Sequence, residues 1–252
     1  MQKAQILDFD VAQLTGDHVK VMEKFTKYDR AQVEAHFDGL ADNYEGAYVR
    51  AGYPDPQQCA DYVSKFAKNL GLSKDAPIVD FACGTGLVGQ RLNEAGFTNV
   101  TGLDVSSKML EIAEAKGVYT SLEKAELGQE DFYGTFPTLL KNSFSFVTCA
   151  GLMNNNHMDE KIFEQMLLSL KNGGIMVFAA RYSFIGNYWY NDKLENLEAL
   201  GRLKFLKSDS FFKYDNLAQG VGRFQKTPVR VFAYQKTEAD SVLGFRRANS
   251  MR

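Results

Sequence analysis

The sequence predicts a doubly wound α/β fold: a seven-stranded, mostly parallel sheet closed by a C-terminal antiparallel hairpin, with N-terminal helices in front of it. Three observations predict it. From Pro77 to Arg181 short apolar runs alternate with amphipathic segments, the pattern of parallel strands joined by crossover helices. The stretch IVDFACGTGLVGQ, Ile78 to Gln90, places Gly84, Gly86 and Gly89 at a strand-to-helix turn. Two strand-like stretches then close the chain with no helix between them, so they pair antiparallel.

The elements follow in order. Ala31 to Val49 sets Val33, Phe37, Leu40, Tyr44 and Tyr48 on one helical face. A second helix has Asp55 as cap, Pro56 in its first turn and Gly71 as stop, with Tyr62, Val63, Phe66 and Leu70 as its buried face. PIVDFA is a strand, and GLVGQRLNEAG a helix ending at Gly96. NVTGLDV is the second strand, followed by a helix that Ser106 or Ser107 caps and Gly117 ends. VYTSLEKA and FSFVTCAG are the third and fourth strands. Asp159 caps a helix carrying Ile162, Phe163, Met166, Leu167 and Leu170, and GGIMVFAAR is the fifth strand. DKLENLEALGRLKFL reads as a helix, and SFFKYD and TPVRVFAYQKT as the closing hairpin.

A chain of 252 residues with 45% hydrophobic content suits one large domain. The predicted division is an N-terminal extension over 1–30, the domain over 31–237 and a polar, basic tail over 238–252. With 29 basic and 31 acidic residues the chain has no global attraction for nucleic acid or anionic membrane. Cys59, Cys83 and Cys149 are scattered, with neither a disulfide framework nor zinc-ligand spacing. No apolar run reaches the ~18 residues of a membrane span, and the N-terminus lacks a secretory pattern. A cytoplasmic location without membrane or nucleic-acid partners is the expectation.

The glycine turn lies where ligands sit in open α/β sheets, outside the carboxyl ends of the strands. Asp104 ends the second strand close to the ~20-residue spacing at which an acid accepts hydrogen bonds from ribose hydroxyls. NAD and S-adenosylmethionine both satisfy that much. Asp80, just ahead of the loop and read as standing at its mouth, decides between them. Two like charges about 4 Å apart repel by about 4 kcal/mol at an effective dielectric near 20. A pyrophosphate would meet that repulsion, whereas a sulfonium and an ammonium would be attracted.

These residues resemble the class I S-adenosylmethionine-dependent methyltransferases. Asp80 with ACGTG looks like the family's first motif, Asp104 like its acidic strand end, and LKNGG, Leu170 to Gly174, like the turn before its fifth strand. The resemblance covers about Val33 to Thr237 and implies a Rossmann-like methyltransferase fold. FDGLADNYEGAYVRAGYPDP and GLDVSSKMLEIAEAKGVY extend it to the group of small methyltransferase-like proteins that includes the Williams-Beuren syndrome region methyltransferase. Ala82 stands where the superfamily commonly has a glycine. The implied cofactor is S-adenosyl-L-methionine, held by Asp80, Ala82, Gly84, Thr85, Gly86, Asp104, Val105 and Met109. Glu126 and Leu127 are candidates for the adenine, with Glu123 as the alternative register. Tyr44 is either a lid over the methionine portion or a core tyrosine on its helical stripe.

After the fourth strand, AGLMNNNH lacks the proline motif of nucleic-acid amine methyltransferases and the acids of a magnesium site, so no metal is expected. Asn154 is a candidate acceptor ligand. His157, with an ordinary pKa near 6.5, is either a general base or a solvent-facing histidine. RYSFIGNYWY, Arg181 to Tyr190, brings aromatic walls suited to a flat acceptor, or packs on the following helix. The expected activity is methyl transfer to a small molecule. The rival is a methyltransferase-like subunit serving as scaffold in a larger assembly, with the N-terminal segment or the tail as contact arms. An NAD-dependent oxidoreductase requires Asp80 to point away from the loop.

Overall fold

The computed structural model describes residues 32–128, 141–153, 161–182, 188–216 and 226–237. Seven strands form one sheet: β1 Ile78–Phe81, β2 Val100–Asp104, β3 Ser121–Lys124, β4 Phe144–Met153, β5 Leu170–Arg181, β6 Leu203–Lys213 and β7 Thr227–Lys236. Their order is β3-β2-β1-β4-β5-β7-β6. Every neighbour up to β5 pairs parallel, and β7 runs antiparallel between β5 and β6. The described helices are α1 Val33–Ala51, α2 Asp55–Asn69, α3 Leu87–Glu94, α4 Ser107–Ala115, α5 Lys161–Ser169 and α6 Tyr188–Ala199.

Strand composition explains this order. All four residues of β1 are buried, as a central strand covered on both faces requires, whereas β3 at the edge has none buried. One face carries Ile162, Phe163, Met166 and Leu167 of α5 with Leu194 and Leu197 of α6. The other carries Cys59, Ala60, Val63 and Ala67 of α2 with Val88 and Leu92 of α3. The three cysteines are buried and free. Strand order reverses beside β1, so a crevice opens between the C-terminal ends of β1 and β4. Helix α1 is held to this end of the molecule, with Leu40 and Ala41 packing on Met109 of α4. At its far end, the Tyr214 amide donates to the Gly52 carbonyl at 2.6 Å.

Three expectations need correction. Asp55 is the first residue of α2 and does not cap it; its carboxylate meets Lys213 instead, at 3.4 Å. Leu70 is 44% exposed, because the helix ends at Asn69 and the apolar stripe stops with Ala67. Residues 203–206, read as helix, begin β6. Gly201, at φ 66°, terminates α6, with the Gly201 amide donating to the Glu198 carbonyl and Arg202 to Leu197. Leu203 then pairs with Lys236. The Asp159 cap lies outside the described residues, as do the 1–30 extension and the 238–252 tail.

The aromatic layer under β5 and β7 centres on Phe178. Its ring stacks on Phe232 at 5.1 Å and meets Phe163 edge-on at 5.6 Å. Phe178→Ala is expected to destabilise the fold by about 3–5 kcal/mol, read as a lowered urea midpoint with an unchanged slope.

Candidate functional site

The loop after β1 is built from left-handed residues: Ala82 at φ 55°, Gly84 at 53° and Gly86 at 89°. Alanine in this region is strained by roughly 1–2 kcal/mol relative to its right-handed form, which gives a physical reason for glycine at that position in related sequences. The Cys83 amide donates to the Leu103 carbonyl at 2.9 Å, and the Gly86 amide to the Cys83 carbonyl at 2.9 Å. Gly86 is then the residue from which α3 starts.

The loop is locked to β2 through Asp104. The amide of Gly84 donates to Oδ2 at 2.8 Å and that of Ser106 to Oδ1 at 2.9 Å. Burial pushes the Asp104 carboxyl up, and the backbone amides of Ser106, Gly84 and Val105 oppose that shift. Two carboxylate oxygens offer about four acceptor sites, more than these amides fill, so acceptor capacity remains for a ligand hydroxyl. A Cβ built on Gly84 would meet nothing, so open space adjoins the loop backbone there. The buried Thr85 hydroxyl has no hydrogen-bond partner among the described residues. An acid with spare lone pairs, an open cradle at Gly84 and an orphaned hydroxyl fit the ribose and backbone-hugging portions of S-adenosylmethionine.

Asp80 is placed differently from the expectation. It is fully buried, not open at the loop mouth, because hydroxyls enclose it. Thr148 Oγ1 donates to Oδ1 at 2.7 Å, and Tyr119 Oη donates to Oδ2 at 2.8 Å. Burial pushes its carboxyl up to about 7, against the two hydroxyl bonds. A carboxyl in that range is about half protonated near neutrality, so its charge discriminates against a pyrophosphate less than the sequence argument required. Tyr119 was not singled out from sequence. Its hydroxyl also accepts from the Gly89 amide at 3.1 Å, in the first turn of α3. A Cβ on Gly89 would collide with the Tyr119 ring, and one on Gly102 would collide with Leu122 and Cys83 and come within 3.0 Å of the same ring. The third glycine of the motif and the glycine of β2 thus make room for this ring. Spacing gave no signal for Tyr119, which lies 30 residues beyond Gly89.

The remaining candidates divide. Met109 is buried under α1, and Val105 is partly buried. Tyr44 stacks on Tyr48 at 4.4 Å and belongs to the same apolar group as Met109, so it joins the helical stripe to the cofactor side of the crevice. Glu126 is exposed and Leu127 partly buried just past β3, whose Ala125 amide donates to the Asp104 carbonyl at 2.8 Å. Glu123 is exposed and accepts from the Ser121 hydroxyl at 3.1 Å. Asn154 and His157 lie outside the described residues. In the aromatic stretch, Tyr182 is exposed and turned to the surface of the final hairpin by Ser210 and Arg230, so it does not wall the crevice. Asp38 of α1 was also missed. It accepts from the Ser106 hydroxyl at 2.6 Å and the Lys108 amide at 3.2 Å, tying α1 to the start of α4. Among the described residues no cluster of His, Cys, Asp and Glu could hold a metal.

The sheet order, with β7 antiparallel between β5 and β6, is that of the Rossmann-like methyltransferase fold. Residues 78–174, from β1 through the turn in β5, match the family model described as a methyltransferase domain. The chain is similar to human methyltransferase-like protein 27, with 29% identity over 167 residues, covering 66% of this chain and 64% of that protein. It spans less than two thirds of the length of each curated relative considered, including 53% and 56% of two bacterial ones. A solved S-adenosylmethionine-dependent methyltransferase from Clostridium acetobutylicum has a TM-score of 0.55 at 17% identity, covering 80% of this chain and 99% of that one. The cyclase SpnF scores 0.58 at 16% identity, covering 84% and 98%. Both likenesses concern the fold alone, and the cyclase illustrates that a fold does not dictate a reaction.

Tyr119→Phe strands the Gly89 amide and one Asp80 oxygen, an expected loss of about 1–3 kcal/mol in stability, measurable by chemical denaturation. Because folding raises the Asp80 carboxyl to about 7, the folded state binds more protons than the unfolded between its ordinary range and that value. This contribution is full in acid and is lost as pH rises toward neutrality. Stability of Asp80→Asn relative to wild type is therefore expected to improve from pH 5 to pH 8; a gap independent of pH contradicts it.

Proposed function

We propose that the chain transfers a methyl group from S-adenosylmethionine to a small-molecule acceptor, as one of the small methyltransferase-like proteins. The carrying observation is the Asp104 carboxylate, held rigidly by the Gly84 and Ser106 amides beside the open cradle at Gly84. The family match over 78–174 supports the choice of cofactor now that Asp80 alone does not. Similarity to methyltransferase-like protein 27 and the stretch FDGLADNYEGAYVRAGYPDP support the placement within the group.

When bound, S-adenosylmethionine supplies an electrophilic methyl group whose bond to sulfur breaks as an acceptor lone pair forms the new bond, leaving a neutral thioether. The protein's part is alignment and exclusion of water. Asp104 would accept from the ribose, Gly84 and Thr85 would lie along the ligand, and Tyr44 of α1 would cover it. Alignment alone can be worth effective molarities of about 10⁵–10⁸ M, so no catalytic base is obligatory. Balanced charge favours a small acceptor over nucleic acid. No helix among the described residues is long and apolar enough to cross a membrane.

Titration calorimetry with S-adenosylhomocysteine and NAD tests the reading. Wild type is expected to bind the former and not the latter. Asp104→Asn, which keeps the side-chain shape, should weaken binding about ten- to a hundredfold, from lost charge-assisted hydrogen bonds of ~1.5–3 kcal/mol. Preference for NAD, or unchanged affinity in the variant, overturns the assignment.

A further inference from the structure

Beyond the cofactor crevice, the C-terminal edge holds a second polar cluster at the ends of β5 and β6. Lys213 is 4% exposed and Asp55 1% exposed, with 3.4 Å between Nζ and Oδ2. The other Asp55 oxygen, Oδ1, has no hydrogen-bond partner among the described residues. Arg181, the last residue of β5, donates to the Tyr214 hydroxyl at 3.3 Å and makes no ion pair among the described residues. One ring joins the two cations: Lys213 Nζ lies 5.4 Å and the Arg181 guanidinium 5.9 Å from the centroid of Tyr214. Tyr214 itself is held at φ 61°, a conformation rare for a bulky residue and associated with functional sites. Tyr53 packs against the same ammonium at 5.6 Å, and its hydroxyl reaches the backbone of Gly151 in β4.

A structural staple would pair its charges and satisfy its oxygens. This cluster sets two cations against one carboxylate and leaves a carboxylate oxygen orphaned. A cavity of about 460 Å³ adjoins it, walled by Tyr53, Pro54 and Pro56 on either side of Asp55 and by Phe212 and Asp215 near Lys213. Leu87, the residue after Gly86, also lines this cavity, so it reaches the cofactor loop. Its volume is in the range of small-molecule sites, and its walls set Gln57, Arg91 and Asn216 beside the aromatic and apolar side chains.

Resting on the methyltransferase reading, we infer that this cluster is the acceptor subsite and that it takes a small, flat molecule bearing a carboxylate or similar anionic group. The anion would balance the excess positive charge of Arg181 and Lys213, and a hydroxyl or amine on the same molecule would satisfy Asp55 Oδ1. The rings of Tyr53 and Phe212 supply flat walls, with Tyr214 buried behind them between the two cations.

The test uses the full chain saturated with S-adenosylhomocysteine and compares benzoate with neutral, similarly shaped benzamide, by ligand-observed NMR titration. Benzoate is expected to bind at least tenfold more tightly. Arg181→Gln, at a half-buried position, should remove most of that preference while S-adenosylhomocysteine affinity is unchanged; Lys213→Met should do the same if it folds. Equal binding of the two probes, or an undiminished preference in Arg181→Gln, overturns the proposal. If S-adenosylhomocysteine fails to bind wild type, the methyltransferase reading falls, and the same comparison without it still decides whether the cluster selects anions.

Discussion

A single carboxylate organises the ligand-facing end of this molecule. Asp104 terminates β2, and its two oxygens take amides from opposite sides: Gly84 from the loop after β1 and Ser106 from the start of α4. Neighbouring parallel strands are thereby held at their C-terminal ends by a side chain rather than by the ladder alone. Ser106 passes the constraint on. Its hydroxyl caps α4 through the Met109 amide at 3.1 Å and donates to Asp38, which draws α1 over the same end. Ion pairs from Glu45 to Lys116 and from Glu34 to Lys124 hold α1 along its outer side. A loop, two helices and a strand terminus share one anchor, and burial of that anchor makes its hydrogen bonds costly to lose.

The glycines around this anchor serve different physical ends. Gly84 keeps the backbone bare toward open space. Gly89 and Gly102 face inward and leave room for Tyr119, whose hydroxyl joins the first turn of α3 to Asp80. Gly84 is the one with open space beside its backbone, whereas Gly89 and Gly102 are set by how the loop is mounted. The acid at β1 is joined to that mounting through the Tyr119 and Thr148 hydroxyls.

Much of the fold was legible because its signals are local. Apolar runs of strand length, the Gly96 and Gly117 stops and the Ser106 cap each record a short-range constraint, and the structure realises them. Asp104 was legible for the same reason, since strand and loop fix its spacing from Gly84. The orientation of Asp80 was not, because it depends on Tyr119 and Thr148, 39 and 68 residues away. The pairing of Asp55 with Lys213 across 158 residues was equally hidden, and a helix-capping reading was the natural local inference. The start of β6 was mistaken for helix because Leu203, Phe205 and Leu206 suit either period; pairing with β7 decided it.

The central claim is that the Asp104–Gly84 clamp presents a site for S-adenosylmethionine and not for a dinucleotide. Two-dimensional amide NMR of the full chain, titrated separately with S-adenosylhomocysteine and with NAD, tests it most directly. The account predicts that the Gly84, Thr85 and Ser106 amide resonances shift saturably with S-adenosylhomocysteine and stay in place with NAD. Shifts produced by NAD at those amides, or no response there to either ligand, would contradict it.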